Sequence, residues 1–323
     1  MVFGLEMLNM RSDGTRNMPK NGDRSSKSDQ ERLNFFGRTA QALRRRIGRG
    51  FGRGADDADV MDVAPQTFAP NARRIISAPD GLCLYAIGDI HGRRDLLERL
   101  TQMIEEDAQS LPEGVKPQII FLGDYIDRGL QSKDVINFFT SGAVDQFDPV
   151  FLMGNHEEAL LRFYQEATFG SQWARYGGAE TLYSYGLAPP NQRASLNSHT
   201  EMAAARNAWT KVWNEFRVRL PAEHLAFFQN LQPYHVAGDY LFVHAGVRPG
   251  VALDQQSMRD MLWIREEFLD DPQDFPQMVV HGHTPMDTVH YDHRRLGLDT
   301  GAFLTGKLTA ARLTGTDVAF LST

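Results

Sequence analysis

Short apolar runs alternate with helical periodicity in the region that begins near residue 81. Residues 82–87, 117–122 and 149–153 are apolar, and each run is followed by a glycine and then by aspartate or asparagine. Between these runs, apolar residues recur at helical spacing over 96–104, and 134–139 also reads as helical. This β-α-β-α-β order predicts a largely parallel sheet with both faces covered.

The second part of the region changes from helical to strand-rich. Residues 156–231 read as mostly helical, with a break at the glycine pair 177–178. Candidate strands follow at 240–243, 277–280, 296–298, 307–313 and 318–321, with one candidate helix over 255–269. A second sheet is the economical use of these strands, so we predict an α/β chain with an α+β tail.

The N-terminal part differs in charge and pattern from the rest. The chain of 323 residues has a net charge of −7, yet residues 1–76 hold 14 basic and 9 acidic side chains. Residues 10–31 show no apolar period, and 32–54 contain seven arginines and no acid. We expect 1–76 to be a disordered basic leader and linker, with weak contact of 32–54 to anionic lipid or RNA as the alternative.

The sequence also indicates where in the cell the protein is located. No stretch approaches the roughly 18 apolar residues of a membrane span, and the N-terminus lacks the pattern of a secretory signal. The single cysteine, Cys83, allows no internal disulfide. We therefore expect no integral membrane segment and a cytoplasmic location.

Metal-competent side chains follow each of the first three predicted strands. Asp89 and His91 are two residues apart, so in an extended segment they point the same way and could reach one ion. Asp124 follows the second strand, and its two oxygens could bridge two cations. Asn155 follows the third strand with a neutral carbonyl oxygen. Taken singly, each motif is also compatible with a turn or a helix N-cap.

Two histidines follow apolar runs in the tail. His244 and His283 each follow a candidate strand, although a single such histidine is more often a packed core residue. His281 shares a face with His283 and is expected to pack or orient the site. Five motifs that all follow predicted strands indicate a metal centre. Its mixed nitrogen and oxygen donors suit manganese, iron or zinc rather than calcium.

The motifs resemble those of the binuclear metallophosphoesterases, and specifically of the phosphoprotein phosphatase branch. The resemblance rests on G-D-x-H-G at 88–92, G-D-x-x-D-R-G at 123–129 and G-N-H-E at 154–157. G-H-T-P at 282–285, D-T-G-A at 299–302 and W-I-R at 263–265 resemble the bacterial type, which includes serine/threonine phosphatases and diadenosine tetraphosphatases. It implies a metallophosphoesterase-like sandwich of two mixed β-sheets flanked by helices, in a single catalytic domain over 77–323.

The resemblance also implies a role for each site residue. Arg128 and Arg265 would hold the phosphoryl oxygens, and His156, oriented by Asp127, would protonate the leaving oxygen. Two divalent ions, manganese first with iron or zinc as alternatives, would activate a bridging hydroxide for attack on phosphorus. The implied metal ligands are Asp89 and His91 for the first ion, Asp124 as the bridge, and Asn155, His244 and His283 for the second ion.

These roles predict a metal-dependent phosphoesterase, and first a phosphoserine/phosphothreonine protein phosphatase. A hydrolase of dinucleoside polyphosphates such as diadenosine tetraphosphate is the alternative, because the same metals can act on a phosphoanhydride. Trp173, Tyr176, Tyr183 and Tyr185 could stack an adenine, although helix packing is the commoner use of such residues. An inactive scaffold of the same fold is a remote third hypothesis, disfavoured because every expected ligand is present.

Overall fold

A computed structural model of the protein describes residues 75–191 and 198–323. The leader predicted for 1–76, with its arginine-rich stretch 32–54, lies outside these ranges except for residues 75 and 76. None of the helices in the described ranges is both long enough and apolar enough to cross a bilayer.

Ten strands in the described ranges form two five-stranded sheets. They are β1 Leu82–Ile87, β2 Lys116–Phe121, β3 Val150–Phe151, β4 Tyr234–Ala237, β5 Tyr240–Val243, β6 Met278–His281, β7 His290–Tyr291, β8 Arg295–Gly297, β9 Thr309–Thr314 and β10 Asp317–Ser322. The strand orders are β10-β9-β1-β2-β3 and β4-β5-β6-β8-β7. Strands β1, β2 and β3 run parallel, as do β5, β6 and β8, and the remaining pairings are antiparallel. Both sheets are therefore mixed.

Helices connect the strands and cover the sheets. They are α1 Arg94–Ala108, α2 Ser132–Thr140, α3 Asn155–Gln165, α4 Gly170–Trp173, α5 Ala179–Ser184, α6 His199–Arg219, α7 Ala222–Gln229, α8 Met258–Trp263, α9 Glu266–Leu269 and α10 Ala302–Thr305. A wide turn, Ala174–Gly178, joins α4 to α5. Helix α6 begins at a capping box, in which the Ser198 hydroxyl accepts from the Glu201 N–H and the Glu201 carboxylate accepts from the Ser198 N–H.

Alternation along β1 explains how the layers stack. Tyr85 and Ile87 pack with the helices, whereas Leu84 and Ala86 pack in the layer between the sheets. The second sheet contributes Tyr240, Phe242, Val280 and Leu296 to that inner layer. Burying each large apolar side chain stabilises the fold by about 1.5–3 kcal/mol. The predicted sandwich of two mixed sheets is confirmed.

Helices α8 and α9 cover the outer face of the second sheet. Met261 and Phe268 from this region pack against Leu241, Val243 and Val279 of the sheet. The first sheet is covered in the same way by α1, α2 and α3, which gives the layer order helix, sheet, sheet, helix.

The secondary structure departs from the sequence-based expectation in two places. Strands β4 and β7 were not anticipated, because β4 is only partly buried and β7 has only two residues. The single helix expected over 255–269 is wrong. The chain leaves helical geometry at Ile264, with φ −62° and ψ 145°, and this break lets Ile264 pack beneath the sheet.

The parallel strands of both sheets end at the site. Because the carboxyl ends of parallel strands meet at one edge of a sheet, polar residues that follow these ends gather there. The residues that follow β1, β2, β3, β5, β6 and β8 within a few positions are Asp89, Asp124, Asn155, His244, His283 and Asp299.

Candidate metal centre

Asp124 presents one carboxylate oxygen to each of two groups of side chains. Its Oδ2 lies 3.5 Å from Nε2 of His91, and its Oδ1 lies 3.4 Å from Nε2 of His244. Two buried clusters share this carboxylate, one with His91 and His156 and the other with His244 and His283. A carboxylate common to two clusters is the arrangement that a bridging ligand requires.

The second cluster brings two acceptor atoms, His244 Nε2 and Asn155 Oδ1, close together beside the His283 ring. His244 Nδ1 lies 2.8 Å from the Leu122 carbonyl oxygen and donates to it, which leaves the lone pair on Nε2. That Nε2 lies 2.9 Å from Asn155 Oδ1 and 3.2 Å from His283 Nδ1. Such spacings suit neighbouring ligands of an ion with bonds of about 2.1 Å. Buried lone pairs that face one another are costly unless a cation takes them, so this donor set fits a divalent metal.

The opposite nitrogen of the His283 ring, Nε2, carries the ring proton when Nδ1 binds an ion. It is buried and has no hydrogen-bond partner within 75–191 and 198–323. The Nδ1 atom of this ring lies 2.9 Å from Asn155 Oδ1. The His283 backbone N–H lies 3.1 Å from each oxygen of Asp89, which ties the two halves of the centre together.

The first cluster has a similar donor set. His91 Nδ1 donates to the Ile126 carbonyl oxygen at 2.8 Å, which leaves the Nε2 lone pair facing inward. Asp89 Oδ2 lies 4.0 Å from this Nε2, farther than Asp124 Oδ2, because the Asp89 carboxylate is turned toward His283. Nη1 of Arg128 donates to the same Nε2 at 2.9 Å, so the guanidinium occupies the lone pair that the first ion would take and would move aside when that ion binds.

Protonation states in the centre also suit metal binding. Burial lowers the pKa of His91, His244 and His283, so these imidazoles are neutral ligands at neutral pH. Burial raises the pKa of Asp89, and two neighbouring carboxylates add to that shift. Burial alone would raise the pKa of Asp124, but the surrounding histidines outweigh it and hold the pKa well below its usual range. Neutral imidazoles and an ionised carboxylate are the forms that bind divalent cations.

Glu157 holds the loop that carries Asp124, a role that the sequence analysis missed. Its Oε2 accepts from the N–H groups of Asp124 at 2.8 Å and Gly154 at 3.0 Å. Its Oε1 accepts from Tyr125 at 2.8 Å and Ile126 at 3.3 Å. A Cβ atom at Gly154 would lie 2.2 Å from Asp124 Oδ1, so only glycine leaves room for this arrangement. The motif G-N-H-E signalled the residue, but its spacing suggests only a helix start.

The backbone of the centre is strained. Left-handed conformations cost L-residues of order 1–3 kcal/mol each and persist only where the surroundings enforce them. Six non-glycine residues in the described ranges have positive φ, and five of them are expected site residues. These five are His91, Asp124, Asp127, Arg128 and His283.

His156 is held by Asp127 and belongs to the first of the two clusters. Its Nδ1 lies 2.7 Å from Asp127 Oδ2, and its Nε2 lies 3.8 Å from Asp124 Oδ2. The Asp127 carboxylate also accepts from Trp173 Nε1 at 2.9 Å and from the Thr181 hydroxyl at 2.6 Å. Trp173 and Thr181 therefore position the pair, a function that neither periodicity nor motif spacing indicated.

Two aromatic residues considered as adenine platforms are packed inside instead. Trp173 is fully buried, and Tyr185 is 4% exposed with its hydroxyl 2.7 Å from His224 Nδ1. Stacking by these two residues is therefore excluded. Tyr176 and Tyr183 remain exposed, at 41% and 54%.

The two arginines expected to bind phosphate are placed differently. The Arg128 N–H donates to the Gly177 carbonyl oxygen at 3.0 Å, and a Cβ atom at Gly177 would lie 2.7 Å from Arg128 Cγ. Gly177 has φ 110°, so a side chain there would be disfavoured on both counts. Arg265 lies at the helix break after α8, where its Nη1 donates to the Thr284 hydroxyl at 3.0 Å. Burial lowers the pKa of Arg265.

Asp299 is a further buried carboxylate at the centre to which the sequence analysis gave no role. Its Oδ1 accepts from the Gly301 N–H at 2.9 Å. Burial raises the pKa of Asp299 to about 6. It is one of the two carboxylates whose negative charge helps to raise the pKa of Asp89. His281 is buried beneath the site with its Nε2 3.2 Å from Arg295 Nη1, in agreement with a packing role.

Comparison with known proteins identifies the family. The sequence profile described as calcineurin-like phosphoesterase matches residues 84–308. The asymmetrical bis(5'-nucleosyl)-tetraphosphatase PrpE of Anoxybacillus flavithermus is 26% identical over 246 residues, which cover 70% of this chain and 88% of that protein. The protein of the same name from Bacillus mycoides is 25% identical over 241 residues, with the same coverage. A solved metallophosphoesterase from Sphaerobacter thermophilus aligns with a TM-score of 0.39 and 17% identity, over 75% of this chain and 88% of its own.

The family match runs from the third residue of β1 to the residue before β9, so it includes the whole second sheet and the parallel strands of the first. The family and the hydrolase activity expected from the motifs are therefore confirmed. The chain belongs to the calcineurin-like phosphoesterase family, whose members are metal-dependent hydrolases of phosphoesters.

Proposed function

We propose that this centre holds two divalent ions and hydrolyses the phosphorus–oxygen bonds of a substrate that binds at these ions. The observation that carries the proposal is the two-sided position of Asp124, with one oxygen 3.5 Å from His91 Nε2 and the other 3.4 Å from His244 Nε2. When bound, the ions supply Lewis acidity toward the phosphoryl group and the attacking water. The ligands would be Asp89 and His91 for one ion, Asp124 for both, and Asn155, His244 and His283 for the other. Manganese is the first choice of metal, with iron or zinc as alternatives.

His156 acts in this proposal as the general acid. Asp127 accepts the Nδ1 proton at 2.7 Å, so the ring is oriented with Nε2 toward the reacting group. The negative carboxylate also stabilises the imidazolium form that donation requires. Because an alkoxide is a poor leaving group, proton donation from Nε2 contributes about 10²–10⁴-fold to the rate.

Arg128 and Arg265 bind the phosphoryl oxygens in this proposal. A guanidinium pairs with phosphate through a planar fork of N–H donors, and it stabilises charge that accumulates on the oxygens in the transition state. Arg128 is fixed through its backbone by Gly177, while Arg265 is held through Thr284.

Two substrate classes have specific support. Phosphoserine and phosphothreonine in proteins are favoured by the motifs at 88–92, 123–129 and 154–157, which resemble the phosphoprotein phosphatases. Dinucleoside polyphosphates are favoured by the relatives named bis(5'-nucleosyl)-tetraphosphatase, at 26% and 25% identity. Both substrates would be met in the cytoplasm, which is the compartment we propose.

A side-by-side turnover assay on the manganese-loaded protein tests the proposal. One arm uses a mixture of phosphoserine and phosphothreonine peptides, and the other uses diadenosine tetraphosphate. Asp124→Asn is expected to remove nearly all turnover in the active arm and to reduce the metal content below two ions per chain. The matched control is Asp148→Asn, because Asp148 also has a left-handed backbone (φ 46°) but lies outside the centre. Full activity in Asp124→Asn would refute the bridging role.

A further inference from the structure

Two aromatic rings lie exposed beside the second cluster. Trp263 is 38% exposed and Tyr176 is 41% exposed. Their ring centroids are 6.3 Å apart at an interplanar angle of 63°, so the rings form an open corner. The Trp263 centroid also lies 6.3 Å from that of His283. This aromatic corner, Trp263 with Tyr176, thus borders one of the expected metal ligands.

The rings of the aromatic corner are fixed by hydrogen bonds at their polar edges. Trp263 Nε1 donates to Glu158 Oε2 at 3.1 Å, and the Tyr176 hydroxyl accepts from Gln172 Nε2 at 3.1 Å. Each ring is thus tied by one hydrogen bond at its polar atom, while a large part of each side chain remains exposed. A ring that is already ordered loses little conformational entropy when a flat ligand stacks on it. The corner is therefore suited to binding, in contrast to the buried Trp173.

The aromatic corner is joined by short backbone links to the expected phosphate-binding side chains. Tyr176 precedes Gly177, whose carbonyl oxygen accepts from the Arg128 N–H at 3.0 Å. Trp263 precedes Arg265 by two residues. An exposed aromatic surface whose backbone is linked to that of both arginines matches a ligand that has a flat ring and a phosphate in one molecule. The Glu158 carboxylate at the edge of Trp263 disfavours placing phosphate there, so the phosphate belongs on the arginine side.

We infer that Trp263 and Tyr176 form the site that stacks a nucleobase of the substrate, with its phosphates directed to Arg128 and Arg265. The inference rests on the proposed phosphoesterase function and selects the nucleotide as its substrate class. Every base has a π-face, and stacking on an aromatic side chain contributes about 1–3 kcal/mol per base. At 1.4 kcal/mol per tenfold, removal of one ring corresponds to a loss of about 5–150-fold.

The test compares a substrate that has bases with one that has none. For Trp263→Ala and Tyr176→Ala, the ratio of kcat/KM on diadenosine tetraphosphate to kcat/KM on inorganic tripolyphosphate is expected to fall about 5–150-fold. Trp263→Phe is expected to keep most of the ratio, because it retains a ring. Tyr291→Ala is the matched control, since Tyr291 is an exposed tyrosine of β7 whose ring packs against Phe320, and a wild-type ratio is expected for it. Calorimetric titration with adenosine monophosphate gives a second readout, and weaker binding is expected in both alanine variants.

Each contrary result identifies what has failed. An unchanged ratio and unchanged adenosine monophosphate binding in the alanine variants would overturn the stacking site. A fall confined to phosphopeptide turnover would overturn the nucleobase as the occupant and favour a peptide. Wild-type turnover of phosphopeptides but not of diadenosine tetraphosphate would refute the inference and leave the phosphoesterase proposal intact. No turnover of any phosphate substrate by metal-loaded wild type would refute the proposed function itself.

Discussion

Glu157→Gln is a near-isosteric change on α3 that turns one hydrogen-bond acceptor for the loop carrying Asp124 into a donor. Each oxygen of the Glu157 carboxylate accepts from two backbone N–H groups. Glutamine replaces one oxygen by an amide NH₂ group, which cannot accept. Whichever position the NH₂ group takes, two buried backbone donors lose their partner and face another donor.

The expected cost follows from that count. A buried donor left without a partner costs about 1–3 kcal/mol, so two of them cost about 2–6 kcal/mol. Domains of this kind have a free energy of unfolding of about 5–15 kcal/mol, so the loss is a large share of the total. Asp124 is also held in a left-handed conformation at φ 52°, and a loosened loop lets it relax away from the bridging position.

Urea unfolding of the metal-free protein measures this cost by linear extrapolation. Glu158→Gln is the matched control on the same helix, because an amide oxygen can still accept from Trp263 Nε1. We expect the control to change the free energy of unfolding by less than about 0.5 kcal/mol. Metal content and turnover should fall with Glu157→Gln alone. A loss under about 1 kcal/mol together with wild-type metal content would refute the role assigned to Glu157.

Four further outcomes are expected. His156→Asn should slow phosphoserine substrates about 10²–10⁴-fold but aryl phosphates much less, and equal losses would argue against proton donation. Trp173→Phe keeps an aromatic ring in the core but removes the N–H that donates to Asp127, so turnover of substrates with poor leaving groups should fall about tenfold. An unchanged rate would show that this N–H is dispensable. Burial lowers the pKa of His224, so below about pH 6.5 the unfolded state binds more protons than the folded state, and the free energy of unfolding falls toward pH 5. His224→Gln should reduce the difference in free energy of unfolding between pH 7 and pH 5, measured by urea titration. A difference equal to that of the wild type would contradict this prediction. Removal of metal by a chelator should lower the Tm, and adding the metal back should restore it, since a metal ion at 1,000 times its Kd stabilises the folded state by about 4 kcal/mol. A Tm that the chelator does not change would argue against bound ions.

The sheet framework was predictable because apolar runs and periodicity are local signals. All three motifs of the first sheet follow strands where expected, so the convergence of Asp89, Asp124 and Asn155 follows from the geometry of parallel strands. The broken helix over 255–269 was not predictable, because the break serves long-range packing of Ile264 beneath the second sheet. The metal-ligand and catalytic roles of the individual residues stay predictions, for which the measurements above are the test.

The supports of the site could not be predicted from spacing. Trp173 and Thr181 reach Asp127 from 46 and 54 residues away in sequence. Glu157 acts on backbone groups 31 to 33 residues earlier in the chain. Such contacts form only when the fold has been completed, and no periodicity encodes them. The sequence shows that polar residues suited to binding metals lie at strand ends. The contacts that hold these residues in place are visible only in the packed structure.

The position of β9 between β10 and β1 has a consequence for synthesis on the ribosome. Strand β1 is made early, but one of its edges is paired only by residues 309–314. A nascent chain that has not yet released these residues leaves the β1 edge open, and an open edge invites pairing with other chains. Pairing between strands so distant in sequence also slows folding. The first sheet is therefore completed only late in synthesis, after β9 has been made.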